Sequence, residues 1–545
     1  MVSPLRVAGR AGANLTRAAR RLFARAALPG DAGAWLLVRL ETPLEEQAAP
    51  RLPFAPEASF TLLELLGTLE QAASDPQIDG VLLRFSGASL GFAKALSLRR
   101  AVEALRAAGK PVAVWSERLD AQEYLVASAA TRIWLAPVGE LFLVGLRLDG
   151  FYLRGLLDHL GVKPEVVRIG SHKAAAEHLT REAMSPEERE QLGELIDDLF
   201  EELVARIAAG RGLEPGAVRA LIDRGPFRAS AAAEAGLSDG CLYPDELPAA
   251  LDGLTPIPPD DRPGPRRARL VEATLYHALR GADAGWRPLF RGLPRIAYVA
   301  LRGAIQRGSG SRGIHSDAVR RLLEALGRDR GVRGVVLRID SPGGDGVASD
   351  LLWRSVAQLA KEKPVVASMG DVAASGGYYL ASAADAVFAE AGTLTGSIGV
   401  VGGKPNLEGL YRRLGVARDS VERGARAGLL SEARGFTPDE RAALREDMAA
   451  LYATFVARVA EGRGLSTQTV ERAAQGRVWS GARAHALGLV DAIGGPLEAL
   501  REARRRAGLR DGERALIELY PRISPLAGLR WLRQLVALRL GGIQP

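Results

Sequence analysis

The chain has 545 residues, and its 72 basic and 64 acidic side chains give a formal net charge of +8. Its apolar share of 47% and charged share of 25% are those of an ordinary globular protein, which excludes a disordered chain, a collagen-like repeat and a small disulfide scaffold. At about 150 residues per domain, this length predicts three to four domains.

The N-terminal segment, residues 1–30, is rich in arginine and predicts an amphipathic helix over residues 3–28. A spanning helix needs about 18 or more apolar residues with few charges, and no stretch of the chain approaches that. An amphipathic helix is compatible with peripheral contact to an anionic membrane surface, or with docking on its own protein. Because no basic patch contains interleaved aromatic residues, nucleic-acid binding is not expected.

Residues 33–252 alternate short apolar runs, typical of buried strands, with helical patterns, which predicts βαβ crossovers and a mostly parallel sheet. The clearest predicted strands are 80–85 and 111–115; the clearest predicted helices are 60–73, 96–108 and 186–209. A further predicted strand, 164–169, leads into the sequence RIGSHKAAA over 168–176. This run contains Lys173, one of only seven lysines in the chain; taken alone, it is typical of a solvated surface lysine.

The segment 253–293 is a predicted linker, because proline is concentrated over 255–265 and stiffens a chain without packing it. Residues 294–510 then repeat the α/β pattern, and residues 511–545 form a tail with a predicted amphipathic helix over 526–540. The strands predicted in this second unit are 295–301, 334–339 and 364–368, and the helices are 316–326, 348–359 and 438–461.

An internal duplication explains the two similar units. IDGVLLR at 78–84 resembles VRGVVLR at 332–338, and LVASAA at 125–130 resembles YLASAA at 379–384, both at an offset of 254 residues. The fold class is therefore α/β, built as two tandem copies of one unit. We call residues 33–252 the first copy and residues 294–510 the second copy.

The two copies differ in two glycine-rich motifs that could take part in catalysis. The second copy carries DSPGGD at 340–345 and DVAASGGY at 371–378, and the serine and glycines of the latter are absent from the first copy. Ser375 aligns with Ala121, and its small neighbours let a carbonyl group approach while Gly376 offers a backbone amide, as in an oxyanion hole. The plainer alternative is a helix N-cap serine with close glycine packing.

A nucleophilic serine needs a base, and none of the six histidines has an evident aspartate partner at a recognisable motif. Lys173 shows the reverse asymmetry, because its counterpart in the second copy is Ala427. The sequence therefore favours a split site, with the base from the first copy and the nucleophile from the second. A lysine serves as a base near neutral pH only when burial lowers its pKa by several units.

Four motifs carry a resemblance to a known family. SMGDVAASGGY at 368–378, LTGSIGV at 394–400 and RIDSPGG at 338–344 resemble the serine-peptidase half of the signal peptide peptidase A family, also called the protease IV family. RIGSHKAAAEHLTREAMS at 168–185 resembles the lysine-bearing motif in the long, duplicated form of that family. The resemblance runs in one order over about residues 33–510.

The resemblance implies a crotonase-like and ClpP-like fold and a Ser/Lys dyad. It implies that Ser375 is the nucleophile, Lys173 the general base, Ser397 the residue that orients the lysine, and Gly344 and Gly376 the donors of the oxyanion hole. It further implies a homotetramer that degrades signal-peptide remnants and other apolar peptides at the bacterial inner membrane. No metal and no organic cofactor is implied.

Two positions depart from the family pattern. His172 stands where the family usually has an aromatic residue, and Asp345 places a negative charge beside the proposed oxyanion site. Two other functions remain as alternatives: a crotonase-like acyl-CoA hydrolase or hydratase, and a catalytically silent scaffold at a membrane surface. The first predicts a carboxylate acid/base pair, the second predicts that Ser375→Ala changes nothing, and neither explains the reciprocal asymmetry of Ser375 and Lys173.

Overall fold

The computed structural model describes residues 34–47, 60–254, 268–284, 292–310, 312–510 and 512–521, together with residues 11, 12, 14, 15 and 18. The predicted amphipathic helix 526–540, nearly all of helix 3–28 and the proline-rich stretch 255–265 lie outside the described residues. Within the described residues, no helix combines the length and the apolar character that crossing a membrane requires.

In the structure the first copy continues to residue 284, and its first and last strands belong to one sheet. Its elements are β1 (Ala34–Leu40), α1 (Leu62–Ser74), β2 (Ile78–Phe85), α2 (Phe92–Ala107), β3 (Val112–Leu119), α3 (Ala121–Ala127), β4 (Arg132–Leu141), α4 (Arg154–Leu160), β5 (Lys163–Ile169), α5 (Glu177–Thr180), α6 (Pro186–Arg211), α7 (Pro215–Arg224), β6 (Phe227–Arg228), α8 (Ala229–Glu234), α9 (Leu247–Asp252), β7 (Leu270–Glu272) and α10 (Ala273–Ala284).

The second copy repeats this order with short additional strands. Its elements are β8 (Arg295–Arg302), β9 (Ile305–Gln306), β10 (Ile314–His315), α11 (Ser316–Arg328), β11 (Val332–Ser341), α12 (Gly346–Ala360), β12 (Val365–Ala374), α13 (Gly376–Ala381), β13 (Ala386–Ala389), β14 (Leu394–Gly396), β15 (Val400–Asn406), α14 (Glu408–Arg413), α15 (Pro438–Arg463), α16 (Thr467–Ala473), β16 (Val478–Ser480), α17 (Gly481–Ala486), β17 (Ala492–Ile493), α18 (Pro496–Arg506) and β18 (Leu516–Tyr520).

Each copy is built on a mostly parallel sheet. The first sheet has the order β6-β4-β3-β2-β1-β7, and the second has the order β16-β14-β12-β11-β8-β18. In the second sheet, β13 also pairs with β12, and β17 pairs with β13. Only the β4–β6 and β14–β16 pairs within these sheets are antiparallel. The central strands are buried on both faces, as parallel strands covered by helices are. The α/β class and the tandem duplication are confirmed.

The structure differs from the prediction at the end of each copy. Residues 268–284, placed in the predicted linker, form β7 and α10, and residues 516–520, placed in the predicted tail, form β18. β7 pairs with β1 and β18 pairs with β8, both in parallel, so the two strands are the same element of the repeat. Both begin with a short apolar pair before a glutamate, LVE and LIE, which is too brief to predict a strand by periodicity.

The two copies contact each other through a pair of strands and through a buried ion pair. β5 of the first copy pairs antiparallel with β15 of the second, and this two-stranded ribbon belongs to neither sheet. At another point of the boundary, the Arg338 guanidinium donates to both carboxylate oxygens of Glu46, at 3.0 and 2.8 Å, and both side chains are fully buried. A bidentate pair of this kind fixes the orientation of one copy against the other.

Replacing Glu46 by alanine is expected to lower the free energy of unfolding by about 3–5 kcal/mol, because it leaves the buried guanidinium of Arg338 without its counter-charge. Urea unfolding followed by circular dichroism measures the change. Glu45→Ala is the matched control, since the neighbouring Glu45 pairs with Arg302 at the surface and its loss is expected to cost less than about 1 kcal/mol. Equal destabilisation by both variants would contradict the expectation.

Candidate active site

Ser375 stands at the sharp junction between β12 and α13. Its backbone has φ 54° and ψ −119°, a conformation that costs a residue with a Cβ about 1–3 kcal/mol. The Ser375 amide donates to the Gly396 carbonyl at 2.8 Å, which holds the junction against β14. Ser375 occupies the N-cap position of α13, as in the plainer alternative, but its side chain makes no capping hydrogen bond to the helix.

The glycines after Ser375 are required by close packing. A Cβ on Gly376 would lie 2.4 Å from the Ser349 hydroxyl oxygen, and a Cβ on Gly377 would lie 2.7 Å from the Ser341 carbonyl oxygen. Contacts this short are essentially never made by a real side chain. The two glycines therefore let α13 start directly against the end of β11 and the first turn of α12.

The turn after β11 brings a second pair of glycines to Ser375. Gly343 has φ 98°, and a Cβ on it would lie 2.8 Å from the Ser375 Cβ; a Cβ on Gly344 would lie 2.2 Å from the Ile305 carbonyl oxygen. Neither the Gly344 amide nor the Gly376 amide donates to an acceptor among the described residues. The two turns beside Ser375 therefore each contain a backbone amide that has no hydrogen-bond acceptor among the described residues.

Lys173 comes from the first copy, on the loop that follows β5. The loop is fixed to the second copy because the His172 amide donates to the Gln475 carbonyl at 2.8 Å, and it is fixed to α6 because Gln191 donates to the His172 carbonyl at 3.1 Å. A Cβ on Gly476 would lie 2.6 Å from the Lys173 Cα, so only glycine allows this approach. The β5–β15 ribbon and Gly476 together carry Lys173 into the second copy.

The Lys173 ammonium nitrogen has three polar neighbours. Nζ lies 3.0 Å from the Ser375 hydroxyl oxygen, 2.8 Å from the Ser397 carbonyl oxygen and 2.9 Å from the Ser397 hydroxyl oxygen. No carboxylate is among these contacts, and only 4% of the residue is exposed. Burial therefore lowers the pKa of the Lys173 ammonium to about 8.

Ser397 is held in an unusual backbone conformation of its own. Its φ is 53°, and its amide donates to the Arg477 carbonyl at 2.7 Å. As a result, the Ser397 hydroxyl and carbonyl oxygens both face Lys173 Nζ. Two acceptors on one residue fix the direction of the lysine side chain towards Ser375.

The two departures from the family pattern are accommodated without contact to Ser375. The His172 imidazole bonds the neighbouring Ser171 hydroxyl at 2.9 Å, while Lys173 stays buried. Asp345 is the N-cap of α12: its carboxylate accepts from the Ala348 amide at 2.8 Å and from Arg307 Nε at 2.9 Å. The Asp345 carboxylate therefore caps the start of α12 and pairs with Arg307.

The structure brings together every residue that the sequence singled out: Ser375, Lys173 and Ser397 in direct contact, and Gly344 and Gly376 on adjoining turns. Sequence reasoning missed Gln475 and Gly476. Nothing local marks Gln475 and Gly476, since their importance comes from Lys173, about 300 residues earlier in the chain. Among the described residues, no group of three or more His, Cys, Asp or Glu side chains is placed to hold a metal ion.

Both copies of this chain are similar to proteins of a known family. A sequence model described as Peptidase family S49 matches residues 104–255 and 357–510, one match in each copy. The chain is 32% identical over 483 residues to the chloroplastic serine protease SPPA of Arabidopsis thaliana, which covers 88% of this chain and 70% of that protein.

Two bacterial proteins are similar over a comparable length. Protease 4 of Salmonella typhi is 30% identical, covering 83% of this chain and 72% of that protein. Protease 4 of Haemophilus influenzae is also 30% identical, covering 82% of this chain and 73% of that protein. Each of these three similarities covers more than four fifths of this chain and therefore includes residues of both copies.

Proposed function

Because the chain belongs to peptidase family S49 and is a serine peptidase, we propose that it cleaves peptide bonds with Ser375 as the nucleophile and Lys173 as the general base. The observation that carries this proposal is the 3.0 Å separation between Nζ of the buried Lys173 and Ser375 Oγ. The groups come from different copies, as the reciprocal asymmetry of the sequence requires.

The hydrogen-bonding capacity of a neutral lysine fits this role. A neutral amine has two N–H donors and one lone pair. The two donors match the carbonyl and hydroxyl oxygens of Ser397, which leaves the lone pair directed to the Ser375 hydroxyl proton. Ser397 is thus a positioning residue: it fixes the rotation of the amine so that the lone pair faces the nucleophile.

Attack by Ser375 Oγ on the peptide carbonyl carbon forms a tetrahedral intermediate and moves the hydroxyl proton to Lys173 Nζ. The negative charge develops on the carbonyl oxygen, where the free amides of Gly344 and Gly376 donate hydrogen bonds. These amides are fixed before substrate arrives, so no reorganisation opposes the reaction.

Collapse of the intermediate breaks the carbon–nitrogen bond. The Lys173 ammonium returns its proton to the leaving amine, which departs and leaves an ester between the acyl group and Ser375. Neutral Lys173 then takes a proton from water, whose oxygen attacks the ester carbonyl. Collapse of this second intermediate breaks the bond to Ser375 Oγ, the Lys173 ammonium returns the proton to that oxygen, and the peptide acid is released. Each half-reaction uses Lys173 first as a base and then as an acid.

The proposed substrates are signal-peptide remnants and other extended apolar peptides. Two apolar side chains, Val347 and Leu351, are exposed on the first turns of α12, directly after the Gly343–Gly344 turn. An extended chain bound beside that turn would cover them. Cleaved signal peptides are rich in such side chains and are released in the membrane, so the proposed place of action is the membrane surface.

Hydrolysis of a fluorogenic peptide with an apolar run before the scissile bond tests the proposal, with and without detergent. Cleavage of this peptide, and not of a matched peptide in which aspartates replace the apolar run, is the expected result. A panel of acyl-CoA thioesters is assayed in parallel. Thioester turnover without peptide cleavage would overturn the proposal in favour of a crotonase-like hydrolase, and no turnover of either would favour a scaffold.

The pH dependence of kcat/KM follows from the lysine. Because Lys173 acts as a base only when it is neutral, kcat/KM is expected to rise as pH increases and to reach half its plateau near pH 8, where the pKa of the ammonium lies. Below that pH, each unit is expected to lower kcat/KM about tenfold. Initial rates from pH 5 to 10 measure the profile; a half-maximum near pH 6 would indicate a histidine base instead.

A further inference from the structure

The strand that leads to Ser375 contains a bulge. Asp340 of β11 alone lies opposite residues 370–372 of β12, so β12 has two extra residues at this point. The bulge is also where β12 changes its second neighbour, from β13 over 366–368 to β14 over 372–374. Bulges beside functional sites change the direction of the residues that follow them. The residue that follows this part of β12 is Ser375.

Two residues of the second copy hold the ends of the bulge. The Val372 amide donates to Asp340 Oδ1 at 3.2 Å, and the Thr393 hydroxyl donates to the Gly370 carbonyl at 2.9 Å. The middle residue, Asp371, has its partners in the first copy. The position of the bulge therefore depends on both copies.

Asp371 caps a helix of the first copy. α2 begins after Gly91, which has no side chain that could accept the amides of the first turn. Asp371 Oδ1 accepts from the Ala93 amide at 3.0 Å and from the Lys94 amide at 3.2 Å, and Lys94 Nζ lies 3.5 Å from Asp371 Oδ2. These are the second and third amides of the helix, which an N-cap side chain normally bonds. A Cβ on Gly91 would lie 2.1 Å from the Asp371 carboxylate carbon, so glycine leaves the room that this carboxylate occupies.

The internal duplication shows that the second copy solves the same problem differently. The counterpart of Gly91 is Asp345, which caps α12 from within its own copy. The counterpart of Asp371 is Glu117, which is exposed and lies 3.6 Å from Arg84 of its own copy. α12 is thus capped by its own N-cap residue, whereas α2 is capped by the strand that carries the nucleophile.

α2 also contacts the second segment that supports Ser375. The loop after β13 contains Glu390, and it leads to β14, where the Gly396 carbonyl accepts the Ser375 amide. The Ser97 hydroxyl donates to Glu390 at 2.6 Å, and the Arg100 guanidinium donates to both Glu390 carboxylate oxygens at 2.8 and 2.7 Å. One helix of the first copy therefore contacts β12 and the loop before β14, the two segments that meet at Ser375.

We propose that Asp371 is a positioning residue for Ser375. By capping α2, Asp371 fixes the bulge of β12, and through the bulge it fixes the direction in which Ser375 presents its hydroxyl to Lys173. This inference rests on the proposed function, since it takes Ser375 as the nucleophile. It gives the first copy a second role, because that copy then supplies the base and also aligns the nucleophile. A displacement of about 1 Å at a reacting atom costs up to about 10²-fold in rate.

Asp371→Ala tests the proposal by separating kcat from KM. The variant is expected to lower kcat for an apolar peptide at least about tenfold, with KM within about threefold of the wild type. The half-maximum of the pH profile is expected to stay near pH 8, because the β5–β15 ribbon still holds Lys173. Labelling of Ser375 by a fluorophosphonate, which reacts with nucleophilic serines, is expected to slow by the same factor as kcat.

The loss of a helix cap also lowers Tm, by about 2–4 °C, and a control has to account for it. Asp120→Ala is the matched control, because Asp120 is a carboxylate that caps another helix of the first copy, α3, from within that copy. This control is expected to lower Tm by a similar amount and to leave kcat within about threefold of the wild type. An equal loss of kcat in Asp120→Ala and Asp371→Ala would overturn the proposal.

A double variant separates alignment from capping. In Asp371→Ala/Gly91→Asp, alanine removes the three carboxylate atoms nearest to a Cβ on residue 91, and the new aspartate gives α2 a cap of its own, as Asp345 gives α12. The double variant is expected to regain Tm but not kcat or the labelling rate, because α2 and β12 stay unconnected. Recovery of kcat together with Tm would overturn the proposal, since capping alone would then suffice.

Failure of this inference can be distinguished from failure of the proposed function. If the wild type and Ser375→Ala are labelled alike and cleave the peptide alike, the proposed function is overturned, and this inference with it. If the wild type is labelled and Ser375→Ala is not, while Asp371→Ala is labelled as fast as the wild type, only this inference is overturned.

Discussion

Replacing Ser375 by alanine is expected to lower kcat/KM for an apolar peptide by about 10⁴-fold or more, to the level left by binding and oxyanion stabilisation alone. Alanine removes the oxygen that we propose attacks the substrate, together with its 3.0 Å contact to Lys173 Nζ. The backbone of Ser375 and the amides of Gly344 and Gly376 keep their places, and Lys173 keeps both contacts to Ser397. The loss therefore falls on kcat, with KM nearly unchanged.

Steady-state kinetics with a fluorogenic peptide measure this loss, and circular dichroism shows that the variant is folded. Ser382→Ala is the matched control, since Ser382 is a buried serine at the other end of α13 whose hydroxyl donates only to the Tyr379 carbonyl. It is expected to keep activity within about threefold, as the loss of one neutral hydrogen bond allows. Substantial peptide cleavage by folded Ser375→Ala would remove the serine from the mechanism.

Replacing Lys173 by methionine is expected to lower kcat by about 10³-fold, the contribution of a well-placed general base. Methionine is similar in length to lysine, so the packing at this buried position is kept. Methionine also carries no charge, so the free-energy cost of burying an ammonium is removed. The variant is therefore expected to be at least as stable as the wild type. Lys173→Arg is expected to be equally inactive at every pH, because a guanidinium does not deprotonate in a protein.

The control for Lys173→Met is a second buried lysine. Lys404 lies on β15, over the Phe436 ring, and burial lowers the pKa of its ammonium as well. Lys404→Met is expected to retain most of the wild-type kcat and its pH profile. A folded Lys173→Met variant with near wild-type activity would eliminate lysine as the base, and equal losses in both variants would indicate that the ribbon, and not the amine, matters.

The sequence predicted the parts of the fold that rest on local pattern. The central strands β2, β8 and β11 and the long helices α6 and α15 appear within a few residues of their predicted bounds, because long apolar runs and N-cap serine or threonine residues mark them. Ser375 and Lys173 could be singled out because the duplication supplies an internal control: each has an alanine counterpart in the other copy.

The features that the sequence did not predict depend on contacts between residues that are far apart in the sequence. The β5–β15 ribbon joins strands more than 230 residues apart, and no local pattern specifies which edge meets which. Gly476 likewise packs against Lys173, a residue far from it in the sequence. The Glu46–Arg338 ion pair could not be predicted, because the sequence does not show which charged residues are buried. β7 and β18 were missed because a strand of three to five residues at a sheet edge is defined by its neighbour.

The division of the site between the copies also sets when activity can begin. A ribosome makes Lys173 first and Ser375 only 202 residues later, and β15, which fixes the lysine loop, follows after that. The nascent chain therefore carries an amine without a nucleophile while the first copy folds. Cleavage by the proposed Ser375/Lys173 pair therefore has to wait until the second copy has been synthesised and has docked on the first, so the order of the two copies along the chain delays activity.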